Sequence, residues 1–182
     1  MARWALLVGP KGSGKSQDAL EIVAQLREHG LRVEGFVQVG WTDELERKGH
    51  DLMRLGSGDK IHLSRPGSTE KPGEEAFCSF VFHQAAFGVA RDWTMQDAVG
   101  ADVVVVDEVS KLESAGKGHH DAIAWALERA DIKVVMTCVR GDQLFYVMEK
   151  FKLEEEPFAM LEVPADNEAK MAFAEEIVAA CR

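Results

Sequence analysis

An α/β fold, with a mainly parallel sheet flanked by helices and carrying an antiparallel hairpin extension, is predicted by three stretches of this sequence. Trp4 to Val8 is a short apolar run that passes through a glycine-rich turn into a helical period, so a buried strand is followed at once by a helix. Ala101-Asp-Val-Val-Val-Val-Asp107-Glu108 sets four valines in succession, as in a strand covered on both faces by helices. Asp51–Leu55 and Lys60–Leu63 flank Gly56-Ser-Gly-Asp59, a turn cluster that predicts a hairpin.

The remaining elements follow in order. Ser16 to His29 places Ala19, Leu20, Ile22, Val23 and Leu26 on one helical face, and Gly30 ends the helix. Leu31 to Val39 alternates as a strand with unequal faces. Ser64 to Glu75, with Pro66, Gly67, Pro72 and Gly73, predicts a mobile loop and the best lid candidate. Phe77–Phe82 is expected as one strand and His83–Trp93 as a helix. Beyond the valine strand come a helix over His119–Ala130, a strand over Ile132–Cys138, a helix over Gln143–Phe151, a strand over Phe158–Val163 and an amphipathic helix over Ala165–Cys181. A chain of 182 residues with 46% hydrophobic content is expected to be a single domain over 1–182 with a core of its own.

Charge and cysteine usage narrow the function. A net charge of −10 repels polyanions on average, so neither nucleic acid nor an anionic membrane surface is an expected partner. Cys78, Cys138 and Cys181 show no metal-ligand or disulfide spacing and are expected as buried small hydrophobes. The apolar start is a first strand rather than a leader or span, so the expected location is cytoplasmic.

The chemistry begins at Gly9-Pro10-Lys11-Gly12-Ser13-Gly14-Lys15-Ser16, which follows the first strand and opens the first helix. Glycines at 9, 12 and 14 free the backbone so that successive N–H groups converge on phosphate oxygens, and the helix start adds its positive dipole end. Gln17 continues the same cradle. Lys15 is placed to reach β- and γ-phosphates, and the Ser16 hydroxyl to ligate Mg²⁺. Strand, loop and helix in this order make nucleotide-phosphate binding the expected function of the segment.

Ligands of α/β sheets sit beyond the carboxyl ends of strands, where Asp107 and Glu108 fall. Asp107 fits a residue that holds Mg²⁺ through water, opposite Ser16, and Glu108 is placed to polarise an attacking water. Arg140, just past the next strand, either meets charge developing on the γ-phosphoryl or pairs with Asp142. His119-His120 are expected as a solvated pair rather than a metal site. Glu154–Glu156 are expected as a solvated turn. Trp4, Trp41, Trp93 and Trp125 are expected in core or rim packing, with base stacking left open for Trp41.

Asp107-Glu-Val-Ser-Lys-Leu-Glu113 resembles the signature of the THEP-type (cancer-related) nucleoside-triphosphatase family, a hydrophobic strand followed by Asp-Glu-Ile-Gly-Lys-Met-Glu. Gly9–Ser16, Glu34-Gly-Phe36, Asp51–Leu55 and Val163 running into Asn167 agree in order. Ser110 replaces the usual glycine, His50 stands where an aromatic or glycine-rich approach is common, and an Asn-Arg-Asp stretch survives only as Asn167-Glu-Ala. The resemblance implies a P-loop NTPase domain with a RecA-like sheet, and Mg²⁺-dependent hydrolysis of ATP, GTP and other nucleoside triphosphates with low base selectivity. Two alternatives stay open: a nucleotide or small-metabolite kinase, disfavoured by a lid holding only Arg65 and Lys71, and a nucleotide-dependent switch timed by slow hydrolysis. The first would need an acceptor pocket. The second would need a protein partner, which the sequence leaves unidentified.

Overall fold

The computed structural model describes residues 1–46, 48–153 and 157–182. The expected turn at 154–156 lies outside the described residues. Nine strands of the described residues form one mixed sheet. In chain order the elements are β1 (Arg3–Gly9), α1 (Lys15–Glu28), β2 (Val33–Thr42), β3 (Lys48–Arg54), β4 (Lys60–Pro66), β5 (Glu74–Phe77), β6 (Phe80–His83), α2 (Gln84–Asp97), β7 (Val103–Val109), α3 (Lys111–Ser114), α4 (His120–Glu128), β8 (Val134–Arg140), α5 (Leu144–Lys150), β9 (Ala159–Glu162) and α6 (Asn167–Cys181).

The sheet order is β5-β6-β4-β3-β2-β7-β8-β1-β9. From β2 to β9 every pairing is parallel. From β2 to β5 every pairing is antiparallel. The two regimes meet on β2, whose first half pairs with β7 and whose second half pairs with β3. Gly35 makes that junction tight. Its φ is +111°, and a Cβ there would lie 2.1 Å from the Val105 carbonyl oxygen, so no larger residue fits.

The valine strand is central. Val103 to Val106 are fully buried, and alternation divides them between two cores. Val103 and Val105 pack with α1 and α6 through Ile22, Leu26, Phe173 and Ile177. Val104 and Val106 pack with α2 and α4 through Ala90, Trp93, Ile123 and Ala126. Each such side chain contributes roughly 1.5–3 kcal/mol by leaving water, so the C-terminal ends of β1, β7 and β8 are held at fixed spacing. Trp4 joins the second core, and its indole donates to Thr137 Oγ1 at 2.8 Å. Trp93 is buried and Trp125 half-buried, as core and rim packing requires.

The antiparallel region is larger than a single hairpin. β3 and β4 form the expected one, but Phe77–Phe82 is two strands rather than one. β5 and β6 turn at Cys78-Ser79, with Cys78 at φ 56°. No glycine or asparagine announces that turn, which is why the apolar run reads as continuous. Cys78 is consequently exposed, unlike Cys138 and Cys181. The lid candidate is also shorter than the composition suggests. Ser64–Pro66 belong to β4 and Glu74–Glu75 to β5, and the Arg65 guanidinium grips Glu74 at 2.6 Å across the intervening loop.

Candidate functional site

The loop after β1 turns the chain into α1 with Gly12 at φ 74° and Gly14 at φ 90°. Gly9 acts differently from those two, by close approach: a Cβ there would lie 2.7 Å from both Ser13 Oγ and the Val163 carbonyl oxygen. Gly14 caps α1 without a side-chain bond, so the N–H groups of its first turn remain available to an anion. Lys15 is buried, and its ammonium donates to the carbonyls of Gly9 at 3.2 Å and Pro10 at 2.9 Å. It lies folded over its own loop. Reaching a phosphate would exchange these two acceptors for phosphate oxygens.

Asp107 and Glu108 lie where the β7–β8 ladder breaks register, between Val106 and Val109. The two side chains occupy different surroundings. Asp107 is fully buried, and its Oδ2 accepts the Gln38 backbone N–H at 3.1 Å. Its Oδ1 has no hydrogen-bond partner among the described residues, although the Ser16 and Cys138 side chains face the carboxyl. Burial, and then the charge of Glu108, push Asp107 up to about 7, against the pull of Ser16 and the Gln38 N–H. A buried, unsatisfied acidic oxygen beside a hydroxyl is a costly arrangement that a hard cation relieves, so Ser16 and Asp107 fit a divalent metal.

Glu108 instead lines a cavity of about 600 Å³ with Lys15, Lys11 and Arg140. Burial raises its carboxyl above the ordinary range, and the charges of Lys15, Arg140 and Lys11 oppose that rise. Of the two readings open for Arg140, the structure shows the pair with Asp142. It borders the cavity, and its Nε and Nη2 grip Asp142 at 3.1 and 2.6 Å. A second hollow, of about 500 Å³, lies beside Gly9–Lys11, Arg140–Asp142 and Glu162–Val163. Lys11 and Arg140 border both.

The loop residues Lys11 to Gln17 line the larger cavity together, whereas Gly9 and Pro10 line the other hollow. Trp41 lines neither; it stacks on His62 with ring centroids 5.0 Å apart. His119 is not solvated as expected. It is buried between Phe36 and Phe87, with centroids at 4.6 and 4.9 Å, because the chain folds it inward one residue before α4 begins. Both of its ring nitrogens lack partners among the described residues, and burial lowers its pKa to about 3.

Several cavity residues had no motif to reveal them: Gln38, His50, Phe80, Phe82, Phe87 and His119. Phe80 and Phe82 alternate along β6 and so share a face, a signal present in Phe80-Val-Phe82 once the strand is placed. His50 is fixed by Ser64, with Nδ1 and Oγ at 2.9 Å, and its ring lies 4.9 Å from that of Phe80. The Lys11 ammonium stands 5.1 Å above the Phe80 ring, joining the phosphate loop to the extension.

No helix among the described residues is long and apolar enough to cross a membrane.

A sequence model of a family described as NTPase matches residues 5–177. The chain is 32% identical over 144 residues to the cancer-related nucleoside-triphosphatase homolog of Mus musculus, covering 75% of each. Among solved structures, the solution structure of a human cancer-related nucleoside triphosphatase superposes with a TM-score of 0.69 at 24% identity, over 100% of this chain and 98% of that one. The crystal structure of THEP1 from Aquifex aeolicus gives 0.66 at 22%, over 98% and 99%. These two likenesses show the α/β fold with its mixed sheet. With a family match across nearly its whole length and this identity to the mouse protein, the chain belongs to the NTPase family, among the nucleoside-triphosphatases of the cancer-related and THEP type.

Proposed function

We propose that this protein is a Mg²⁺-dependent nucleoside-triphosphatase that cleaves ATP, GTP and other nucleoside triphosphates to diphosphate and phosphate with broad base selectivity. The observation that carries this reading is the division of labour at the end of β7. Asp107 keeps a buried oxygen without a partner among the described residues, with Ser16 beside the carboxyl, while Glu108 lines the cavity among Lys15, Lys11 and Arg140. The nucleotide-binding set is Gly9, Pro10, Lys11, Gly12, Ser13, Gly14, Lys15, Ser16 and Gln17. Ser16 and Asp107 would hold the metal, which when bound neutralises charge on the β- and γ-phosphate oxygens.

The loop N–H groups and α1 dipole hold the phosphates. Lys15 leaves the Gly9 and Pro10 carbonyls to bridge β- and γ-oxygens. Glu108 orients a water for in-line attack on the γ-phosphorus and accepts its proton, and Arg140 meets the charge that develops. Broad selectivity is what the family resemblance implies, and the loop supports it by holding the phosphates, which every nucleoside triphosphate shares. Phosphate release measured across ATP, GTP, CTP and UTP, with and without Mg²⁺, tests the reading. Comparable metal-dependent release from all four is expected. Absence of release, or strict selection of one base, would contradict it.

A further inference from the structure

We propose that the cavity between the phosphate loop and the β3–β6 extension receives a neutral heteroaromatic alcohol, whose hydroxyl accepts the γ-phosphoryl from the nucleoside triphosphate held on the loop. The proposal rests on the reading of the loop and Glu108 given above, and it adds a second substrate to that site.

Size is the first argument. Beyond the phosphates, hydrolysis asks for one water, about 30 Å³ of space. The cavity of about 600 Å³ spans the phosphate loop itself, Lys11 to Gln17, and extends past it to Leu63, Phe80, Phe82 and Phe87, within the range of small-molecule sites. The second argument is position. The two hollows share Lys11 and Arg140 at their border; one takes in the ends of β1 and β9 at Val8–Gly9 and Glu162–Val163, the other Gln38–Gly40 of β2 and the β6 aromatics. A nucleotide whose base and sugar lie toward Arg140–Asp142 and Glu162–Val163 directs its terminal phosphoryl at Lys15 and Glu108. The larger cavity is then left open beyond that phosphoryl, in line for a second molecule.

Lining chemistry sets the ligand class. Phe80, Phe82 and Phe87 supply ring faces, with Phe82 and Phe87 stacked at 5.9 Å, and Leu63 closes the wall. Planar aromatic bodies suit such a slot. His119 lines the cavity with both ring nitrogens unpaired among the described residues, one donor and one acceptor in its neutral form. The edge of a heteroaromatic ring offers the matching acceptor and donor. The cations Lys11, Lys15 and Arg140 stand on the loop side with the phosphates, and the Glu113 carboxylate is occupied by two backbone N–H groups. Lys111, on the first turn of α3, also lines the cavity, and the ring faces at the aromatic end suit a neutral planar body.

In the transfer, a bond forms between the acceptor oxygen and the γ-phosphorus, and the bond from the γ-phosphorus to the β–γ bridging oxygen breaks. The hydroxyl proton passes to the Glu108 carboxylate and then to solvent. The products are a phosphate monoester and a nucleoside diphosphate, with no change of oxidation state.

The test uses ATP labelled on its γ-phosphate, Mg²⁺, the full chain, and four probes: adenosine, cytidine, thymidine and pyridoxine. Label is expected in the monoester of at least one probe. Phe87→Leu, which keeps apolar bulk but removes a ring face, is expected to lower the ratio of transferred to released phosphate by about tenfold. Phe82→Leu serves the same purpose should the first variant not fold. Label appearing only as inorganic phosphate, with all four probes inert, overturns the proposal and leaves the hydrolase standing. Probes that compete with ATP for one site also overturn it, since the cavity would then hold the nucleotide base. Absence of any γ-phosphate cleavage removes both readings.

Discussion

Glu113 holds the backbone N–H of His119 at 2.9 Å with one carboxylate oxygen and that of Ser110 at 2.8 Å with the other. The side chain is only 2% exposed, so the pair of bonds fastens both ends of the α3 turn beneath the cavity. Glu113 belongs to the same acidic stretch as Asp107 and Glu108, yet both of its oxygens are engaged and it serves as a structural clamp. Glu113→Gln retains one carbonyl acceptor and sets an amide NH₂ against the other N–H. Leaving that buried donor unpaired is expected to cost about 1–3 kcal/mol. A urea midpoint equal to that of the parent would show that the clamp contributes nothing.

His119 makes a pH prediction of definite sign. Its folded pKa is about 3, lowered by burial, against about 6.5 unfolded. The folded state therefore binds fewer protons. Stability from this group is fully present above pH 6.5 and is lost as pH falls toward 3. His119→Phe removes the term. Asp107 and Glu113, both raised to about 7, contribute the opposite slope between their ordinary values and 7, but they are common to both proteins and cancel in the difference. The stability of the variant relative to the parent is expected to improve by about 1.4 kcal/mol per pH unit between 6.5 and 5. A constant difference across that range would refute the assignment.

The parts of this site that a sequence displays are those with short-range grammar. The run from Gly9 to Ser16 specifies a turn, a helix start and a cation within eight residues, and Val103–Val106 specify burial on both faces. The parts that stayed hidden depend on contacts distant in the chain. His119 is buried because Phe36 on β2 and Phe87 on α2 meet around it, and nothing near His119 in sequence announces either. Phe80 reaches the loop only because β4 carries β6 back toward it. The Cys78-Ser79 turn lacked the usual residues, so one strand was expected where two form. Arg140 and Asp142 are two residues apart, and their pairing was legible; its position at the border of two hollows was not.

That pairing leads to the third prediction. Bound to Asp142, Arg140 is held at the cavity edge while its charge still acts on Glu108. Should it meet the transition state, Arg140→Ala would lower turnover by about a hundredfold with nucleotide affinity nearly intact. Asp142→Ala frees the guanidinium and is expected not to lower turnover. Single-turnover kinetics with calorimetric affinities separate the outcomes. Equal loss in both variants would assign the pair a structural role instead.

Asp107 and Glu108 are adjacent in sequence and are expected to fail in different ways. Asp107→Asn keeps an oxygen for the Gln38 N–H but presents a neutral amide where a metal partner is proposed. Without metal, the variant also escapes the cost of burying a charge, so its melting temperature should not fall. The stabilisation that Mg²⁺ with nucleotide confers on the parent should shrink in the variant, because linkage gives a ligand only as much stabilisation as its affinity for the folded state. Glu108→Gln keeps the shape and reach of the side chain and removes its basic carboxylate. Positioned bases supply about 10²- to 10⁴-fold in rate, so hydrolysis should fall at least about a hundredfold while Mg·ATP remains bound. Near-normal turnover in Glu108→Gln would exclude it as the group that orients water. Glu113 would be a poor replacement, with both oxygens bonded to backbone N–H groups, and water activation would then have to come from the substrate phosphate itself.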